Sequence, residues 1–141
     1  MIFVDTSFFF PLLSAHDRDH ARVREVFENL GNRRLPDVLL TTNHVVGETI
    51  TLARVRGGHE LAVQVGRHLY SERMARIHWA SPNDERAAFE YLAKHKDKEY
   101  SFTDCLSFVV MDAFGITEAW AVDSDFTHRF VVKPGPSRTA S

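Results

Sequence analysis

Short apolar runs alternate with longer amphipathic segments along most of this chain, and that alternation is its most restrictive feature. The runs begin at Ile2, Val38, Ala75 and Ala119, and a candidate edge strand begins at Phe130. Strands that alternate with helices predict a mostly parallel sheet with helices on both faces. The first run starts almost at the first residue and is wholly apolar, which indicates a buried central strand. The prediction is a three-layer α/β domain with four or five strands.

Helix-start signals divide the chain between these runs. Thr42 or Asn43 can cap a helix that extends to about Arg56. The segments Ser81-Pro82-Asn83-Asp84 and Ser101-Phe102-Thr103-Asp104 each place a serine three residues before an acid, the pattern of a capping box. Residues 7–13 predict a short helix that is interrupted near Pro11.

Length and composition favour one cytoplasmic domain. Of the 141 residues, we assign 1–132 to the domain and the Pro/Gly/Ser-rich residues 133–141 to a disordered tail. The apolar run 8–13 is too short to span a membrane, and the N-terminus lacks the basic region of a signal peptide. A single cysteine, Cys105, suits a reducing compartment. The net charge of −2 provides no overall basic field, so any nucleic-acid contact must be local.

Acidic residues follow the predicted strands at the points where a parallel sheet binds its ligands. Asp5 and Asp123 come directly after the first and fourth strands, and Asp104 lies in the first turn of the helix that Ser101 opens. Glu48 lies about one turn into the helix after the second strand. Because ligands bind outside the carboxyl ends of parallel strands, one edge of the sheet can hold all four acids.

Each of these acids also has an ordinary structural explanation. Asp104 can complete a capping box with Ser101, Asp5 can be a turn or cap residue, and Glu48 can project from a solvated helix face. As a set they are harder to explain in this way. Clustered carboxylates repel one another, and no Lys or Arg lies within four residues of Asp5 or Asp104. An acid-only cluster suits Mg²⁺ or Mn²⁺ better than zinc.

Four segments resemble the motifs of PIN-domain nucleases, in order and over essentially the whole chain. They are Phe3-Val4-Asp5-Thr6-Ser7, Thr42-Asn43-His44-Val45-Val46-Gly47-Glu48-Thr49, Ser101-Phe102-Thr103-Asp104-Cys105 and Asp123-Ser124-Asp125-Phe126. The compact form is most similar to the VapC toxins of type II toxin–antitoxin pairs. The fourth motif departs from the family pattern because Asp125 duplicates its acid.

This resemblance implies a PIN fold with a four- or five-stranded parallel sheet, a homodimer, a partner antitoxin and an RNA substrate. It implies a Mg²⁺- or Mn²⁺-dependent endoribonuclease, with Asp5 and Asp104 as direct metal ligands. Glu48 would act through a bound water, and Asp123 would hold a second metal or orient the water. Asp125 would assist Asp123. The remaining candidates are hydroxyls that fix the carboxylates: Thr6, Ser7, Ser101 and Thr103.

Several residues outside the motifs have competing interpretations. Arg54 and Arg56 are candidate RNA contacts, although arginine clusters more often form a solvated surface. His44 and Glu48 have the i, i+4 spacing of a zinc pair, but a structural role for His44 is favoured. Residues 59–74 can form either an antitoxin groove or plain core.

Three other functions compete with the toxin. One is an RNA-processing PIN nuclease with no antitoxin, and another is a non-catalytic RNA-binding module. The intact set of four acids argues against the second. A receiver-like phospho-acceptor is disfavoured because the only Lys beyond Lys98 is Lys133, in the Pro-rich tail.

Overall fold

The computed structural model describes residues 1–137 and contains one five-stranded parallel sheet in that range. The strands are β1 (Ile2–Val4), β2 (Leu39–Thr42), β3 (Arg76–His78), β4 (Glu118–Ala121) and β5 (Val131–Pro134). Their order in the sheet is β3-β2-β1-β4-β5, and every neighbouring pair is parallel. The predicted parallel sheet is confirmed, and β1 lies at its centre. All five predicted strands are present, each within about one residue of its predicted start.

Seven helices connect the strands within the described residues. They are α1 (Thr6–Leu13), α2 (His20–Glu28), α3 (Leu35–Val38), α4 (Asn43–Gly57), α5 (His59–Tyr70), α6 (Pro82–Lys94) and α7 (Phe102–Phe114). Parallel crossovers are right-handed, so the helices between β1 and β3 cover one face of the sheet and α6 and α7 cover the other. The chain therefore forms the α/β layers that its sequence predicts.

The interruption predicted near Pro11 does not occur. Helix α1 runs unbroken through Pro11, although an internal proline removes one backbone hydrogen bond and costs about 3 kcal/mol. Phe8, Phe9 and Phe10 are all buried in the core, and this burial offsets the cost. The burial also supports the sequence-based view that these rings are core residues.

Two features of the fold differ from the sequence-based expectation: an additional short helix and the end of the last strand. The four-residue helix α3 was not predicted; Pro36 lies in its first turn, where a proline loses no helical hydrogen bond. Strand β5 includes Lys133 and Pro134, two residues beyond the boundary drawn at residue 132. Parallel pairing with β4 orders this segment, and Gly135 N donates to Ala121 O at 3.0 Å. Residues 138–141 of the expected disordered tail lie outside the described residues.

No helix among residues 1–137 is both long enough and apolar enough to cross a membrane.

Candidate metal centre

The site lies where the strand order reverses, between β1 and β4. The chain builds β2 and β3 on one side of β1, then returns to build β4 and β5 on the other. Such a switch point leaves a crevice at the carboxyl ends of the strands, where open α/β sheets bind ligands. Asp5 follows β1 directly, and Asp123 lies two residues beyond β4. The topology therefore brings these two acids to one edge of the crevice.

Asp5 is held rigidly, but one of its oxygens lacks a partner. As the N-cap of α1, its Oδ2 accepts hydrogen bonds from Ser7 N at 3.1 Å and Ser7 Oγ at 2.8 Å. The residue is 2% exposed, and its Oδ1 is buried without any hydrogen bond among the described residues. A buried acceptor without a partner is costly, so natural proteins keep few of them. This oxygen marks where a ligand would restore the missing interaction.

Ser7 connects the first and fourth motifs. While its hydroxyl donates to Asp5, its Oγ accepts hydrogen bonds from Val122 N at 2.9 Å and Asp123 N at 3.4 Å. One side chain thus fixes the Asp5 carboxylate relative to the loop that follows β4. Ser7 makes the kind of supporting contact that the resemblance implied.

Asp104 enters the site from the start of α7. Ser101 and Asp104 close a capping box, in which Ser101 N donates to Asp104 Oδ2 at 3.1 Å and Asp104 N donates to Ser101 Oγ at 3.0 Å. The box uses only Oδ2 of the carboxylate. Asp104 therefore serves both as a cap residue and as part of the cavity described next, so its two interpretations are compatible.

Seven carboxylates and two arginines line a cavity of about 600 Å³ at this edge. These residues are Asp5, Asp17, Asp19, Glu48, Asp104, Asp123, Asp125, Arg18 and Arg56. All four acids predicted from strand ends and motifs are among them. Asp17, Arg18 and Asp19 are cavity residues that no sequence motif predicts, because they lie in the loop between α1 and α2.

Burial, together with mutual repulsion, raises the pKa of the clustered carboxylates. Burial raises the pKa of Asp5 to about 7, and the nearby charges of Asp123 and Glu48 add to the rise. Burial also raises the pKa of Asp104 to about 8, with the Asp5 carboxylate as the next contribution. The pKa of Asp123 is raised for the same two reasons, burial and neighbouring acids. The protein therefore keeps negative charge in this cavity at a cost in stability.

The donor set suits a hard divalent cation. Every acidic ligand candidate offers oxygen, and the buried Oδ1 of Asp5 lacks a partner. Within residues 1–137, no three His, Cys, Asp or Glu side chains already form a group that could hold a metal. The acids share the cavity without surrounding one point, so binding an ion requires their side chains to rotate inward.

Comparison of the sequence with known protein families supports the same kind of site. The PIN domain family matches residues 2–129 of the chain. The chain belongs to the PIN-domain family.

Two comparisons within the family match nearly the full length of the chain. The chain is 39% identical over 136 residues to the protein named 23S rRNA-specific endonuclease VapC20 from two strains of Mycobacterium tuberculosis. That match covers 96% of this chain and 99% of the relative. The crystal structure of M. tuberculosis VapC20, described as a sarcin–ricin loop cleaving toxin, matches with a TM-score of 0.82 and 38% identity. It covers 91% of this chain and 94% of that one. The predicted PIN fold and the likeness to VapC toxins are confirmed.

Two of the hydroxyls expected to support the PIN acids do not contact them. Thr6 lines the cavity, but its Oγ1 donates to Val45 O at 3.4 Å and joins α1 to α4. Thr103 lies outside the cavity lining, and its backbone oxygen accepts a hydrogen bond from Ser107 Oγ at 2.9 Å. Helix α1 turns the Thr6 hydroxyl toward α4, and a supporting role for Thr6 and Thr103 stays a prediction.

The two arginines proposed for RNA lie on different surfaces. Arg56 lines the acid cavity, and its guanidinium lies 5.4 Å from the centre of the Phe10 ring. Arg54 instead lines a groove between α4 and α5. Residues two apart on a helix point in nearly opposite directions, so only one of them can face the cavity. Of the two candidate RNA contacts, only Arg56 faces the acid cavity, and an RNA contact by Arg54 stays a prediction for a different surface.

His44 and Cys105 carry chemically reactive side chains, and each lies in an ordinary structural environment. His44 Nε2 lies 2.6 Å from Glu85 Oε1 and does not pair with Glu48, so the favoured structural role of His44 agrees with its contacts. Cys105 is buried, and burial raises the pKa of its thiol to about 11, which makes it a poor nucleophile.

Proposed function

We propose that this chain is a Mg²⁺- or Mn²⁺-dependent endoribonuclease that acts as the toxin of a type II toxin–antitoxin pair. The observation that supports this most strongly is the partnerless, buried Oδ1 of Asp5 in a carboxylate-lined cavity at the switch point. A site without a cation would gain nothing from burying mutually repelling carboxylates. Membership of the PIN family and the likeness to VapC20 support the same activity.

Each acid of the cavity would have a separate role in phosphodiester hydrolysis. Asp5 and Asp104 would hold the cation, because each is oriented by a hydrogen bond to its other oxygen. When bound, a divalent cation acidifies water and stabilises charge on the phosphoryl oxygens. Glu48 and Asp123 face the same cavity and would orient the attacking water and accept its proton. Asp125 N donates to Asp123 Oδ1 at 3.1 Å, so the backbone of Asp125 positions this acid.

RNA carries negatively charged phosphates, so binding it beside these acids requires cationic side chains. Arg18 and Arg56 are the two arginines of the cavity lining, and we propose that they contact phosphates flanking the cleaved bond. The relatives are named for 23S rRNA and the sarcin–ricin loop, and we propose 23S rRNA as the substrate of this chain. Ribosomal RNA as a substrate also favours a cytoplasmic location.

The antitoxin would bind in the groove between α4 and α5. This groove of about 620 Å³ is lined by apolar side chains, including Ile50 and Ala62, and Val55 beside it is 76% exposed. Arg54 and Arg67 also line it, so an apolar helix with acidic flanks would complement its charge. Of the two interpretations of residues 59–74, these contacts favour the groove. The homodimer is proposed on the family likeness and is tested by mass measurement in solution.

The activity test is cleavage of purified ribosomes and total RNA by the chain, with Mn²⁺ or with EDTA. We expect discrete 23S rRNA fragments that require Mn²⁺ and that Asp5→Asn abolishes. Asp37→Asn is the matched control, since Asp37 is an exposed acid that pairs with Arg34 at 2.9 Å away from the cavity. Metal-dependent cleavage that survives Asp5→Asn would refute the proposed site.

The same preparation separates the competing functions. A non-catalytic RNA-binding module would bind RNA without cleaving it in Mn²⁺. An RNA-processing nuclease would cleave RNA but would have no partner protein encoded beside it. Inhibition by the product of a short neighbouring reading frame would identify the toxin.

A further inference from the structure

Two aromatic rings beside the acid cavity form a stacked pair. The rings of Tyr100 and His128 lie 5.4 Å apart at 27°, and Tyr100 Oη is 3.2 Å from His128 Nε2. Tyr100 immediately precedes Ser101, and His128 lies three residues after Asp125, and both Ser101 and Asp125 line the cavity. The pair therefore joins the two segments that carry Asp104 and Asp123.

A buried ring of the core packs against both members of this pair. Phe108 is fully buried, and its ring meets Tyr100 edge-on at 5.0 Å and His128 edge-on at 5.4 Å. His128 itself is exposed to solvent. An exposed ring that is fixed by a buried one loses little conformational freedom when a ligand stacks on it.

Basic side chains lie near the stacked pair: Arg129 adjoins His128 in the chain, Lys98 precedes Tyr100 by two residues, and the His95 ring lies 6.2 Å from the Tyr100 ring. Burial lowers the pKa of His128, and the charges of Arg129, Lys98 and His95 lower it further. Arg129 is already paired with Asp112 at 2.6 Å, whereas Lys98 is exposed and makes no ion pair within residues 1–137. Asp97 and Asp125 lie near Tyr100, so the surface carries both signs of charge. Lys98 is the cation left available for a phosphate.

We propose that His128, supported by Tyr100, stacks on an unpaired base of the RNA beside the cleaved bond, and that Lys98 contacts the adjoining phosphate. Proteins recognise unpaired RNA by stacking bases on aromatic or histidine rings and by binding the backbone with cations. A paired base inside a helix presents no free face, so this subsite would favour loops over duplex. The proposal rests on the proposed ribonuclease function and adds a contact that selects the kind of RNA cleaved.

Binding without cleavage tests the proposal directly. The probes are a stem–loop RNA with 2-aminopurine in its loop and a fully paired duplex of equal length, both titrated in EDTA. We expect His128→Ala to weaken stem–loop binding roughly tenfold, the effect of losing one stacked base, and to leave duplex binding unchanged. His128→Phe should restore the stacking and the fluorescence change. His68→Ala, an exposed histidine on α5, is the matched control and should bind like the wild type.

Lys98→Ala provides a second variant that does not disturb the stacked rings. It should weaken binding to both RNAs and reduce the slope of affinity against salt by about one. In cleavage assays, His128→Ala should raise KM while kcat stays close to that of the wild type.

Stem–loop binding by His128→Ala that equals the His68→Ala control would overturn the subsite, as would equal losses in His128→Ala and His128→Phe. These results do not depend on catalysis. A wild type that stacks the loop base but never cuts RNA would refute the ribonuclease and leave the subsite supported.

Discussion

The starts of α6 and α7 carry the same hydrogen-bonded box in opposite electrostatic surroundings. Ser81 and Asp84 close it with distances of 2.9 and 3.0 Å, and Ser101 and Asp104 close it with 3.1 and 3.0 Å. Hydrogen bonds from Ser81 and His78 hold the pKa of Asp84 below its ordinary value. Burial and the Asp5 carboxylate raise the pKa of Asp104 to about 8.

The difference between the two boxes comes from what faces each carboxylate. Asp84 Oδ2 lies 2.8 Å from His78 Nε2, a neighbour that favours its charged form. Asp104 faces Asp5 and the other acids of the cavity. One motif therefore stabilises a helix in the first case and, in the second, also places its carboxylate in the proposed cation site. Neighbouring residues determine the function of such an acid, and its local sequence pattern does not.

The largest expected effect is on the rate of RNA cleavage, in which substitutions of Asp104 and Asp84 should differ most. Asp104→Asn should reduce RNA cleavage by at least about 100-fold, because a direct ligand matters more than the outer contacts whose loss costs 10–100-fold. Asp84→Asn should retain the wild-type rate. Single-turnover cleavage in Mn²⁺ measures both, and similar rates for the two variants would show that Asp104 is only a cap residue.

Metal binding should stabilise only proteins with an intact cavity. At a Mn²⁺ concentration 100 times the dissociation constant, the free energy of unfolding should rise by about 2.7 kcal/mol in the wild type and in Asp84→Asn. Asp104→Asn should gain much less. Denaturant unfolding with and without Mn²⁺ checks this, and equal gains in all three proteins would place the metal elsewhere.

Without metal, Asp5 and Asp84 should give opposite dependences of stability on pH. Asp5 has an ordinary pKa of 3.8 and a folded pKa of about 7, so its stabilising contribution is complete below 3.8 and is lost as the pH rises through 7. Between pH 5.5 and 9 in EDTA, Asp5 alone should reduce the free energy of unfolding by about 2 kcal/mol. Asp5→Asn should flatten this decline.

The folded pKa of Asp84 is lowered, so its contribution is present above its ordinary value and is lost only as the pH falls through the folded value. Asp84→Asn should therefore leave the slope between pH 5.5 and 9 unchanged. Thermal melts across this range supply the measurement. A wild-type stability that rises toward pH 9 would contradict the buried, repelling carboxylates.

The smallest effects should come from the two serines. Ser81→Ala and Ser101→Ala each remove a helix cap and should each cost about 1 kcal/mol of stability. Only Ser101→Ala should also slow cleavage, since it releases Asp104 from its fixed orientation. If Ser81→Ala slowed cleavage as much, the loss would reflect general destabilisation, and the orienting role of Ser101 would be refuted.

The strands, the caps and the four acids were predictable from sequence because each leaves a local signal. The apolar run Ile2-Phe3-Val4 predicts β1, and a serine three residues before an acid predicts both capping boxes. What differs between those boxes depends on contacts between residues far apart in the chain. Neither Asp17 to Asp19 in the cavity nor the separation of Arg54 from Arg56 follows from a motif. Pairing with β4, which orders β5 beyond residue 132, is likewise a tertiary effect.

The most direct test of the proposed metal centre is a titration with Mn²⁺ followed by electron paramagnetic resonance of the free ion. We expect the wild type and Asp84→Asn to remove Mn²⁺ from solution with equal affinity, and Asp5→Asn, which lacks the partnerless oxygen, to bind it far more weakly. Binding by Asp5→Asn that matches Asp84→Asn would contradict the claim that the carboxylates at the β1–β4 switch point form the metal centre.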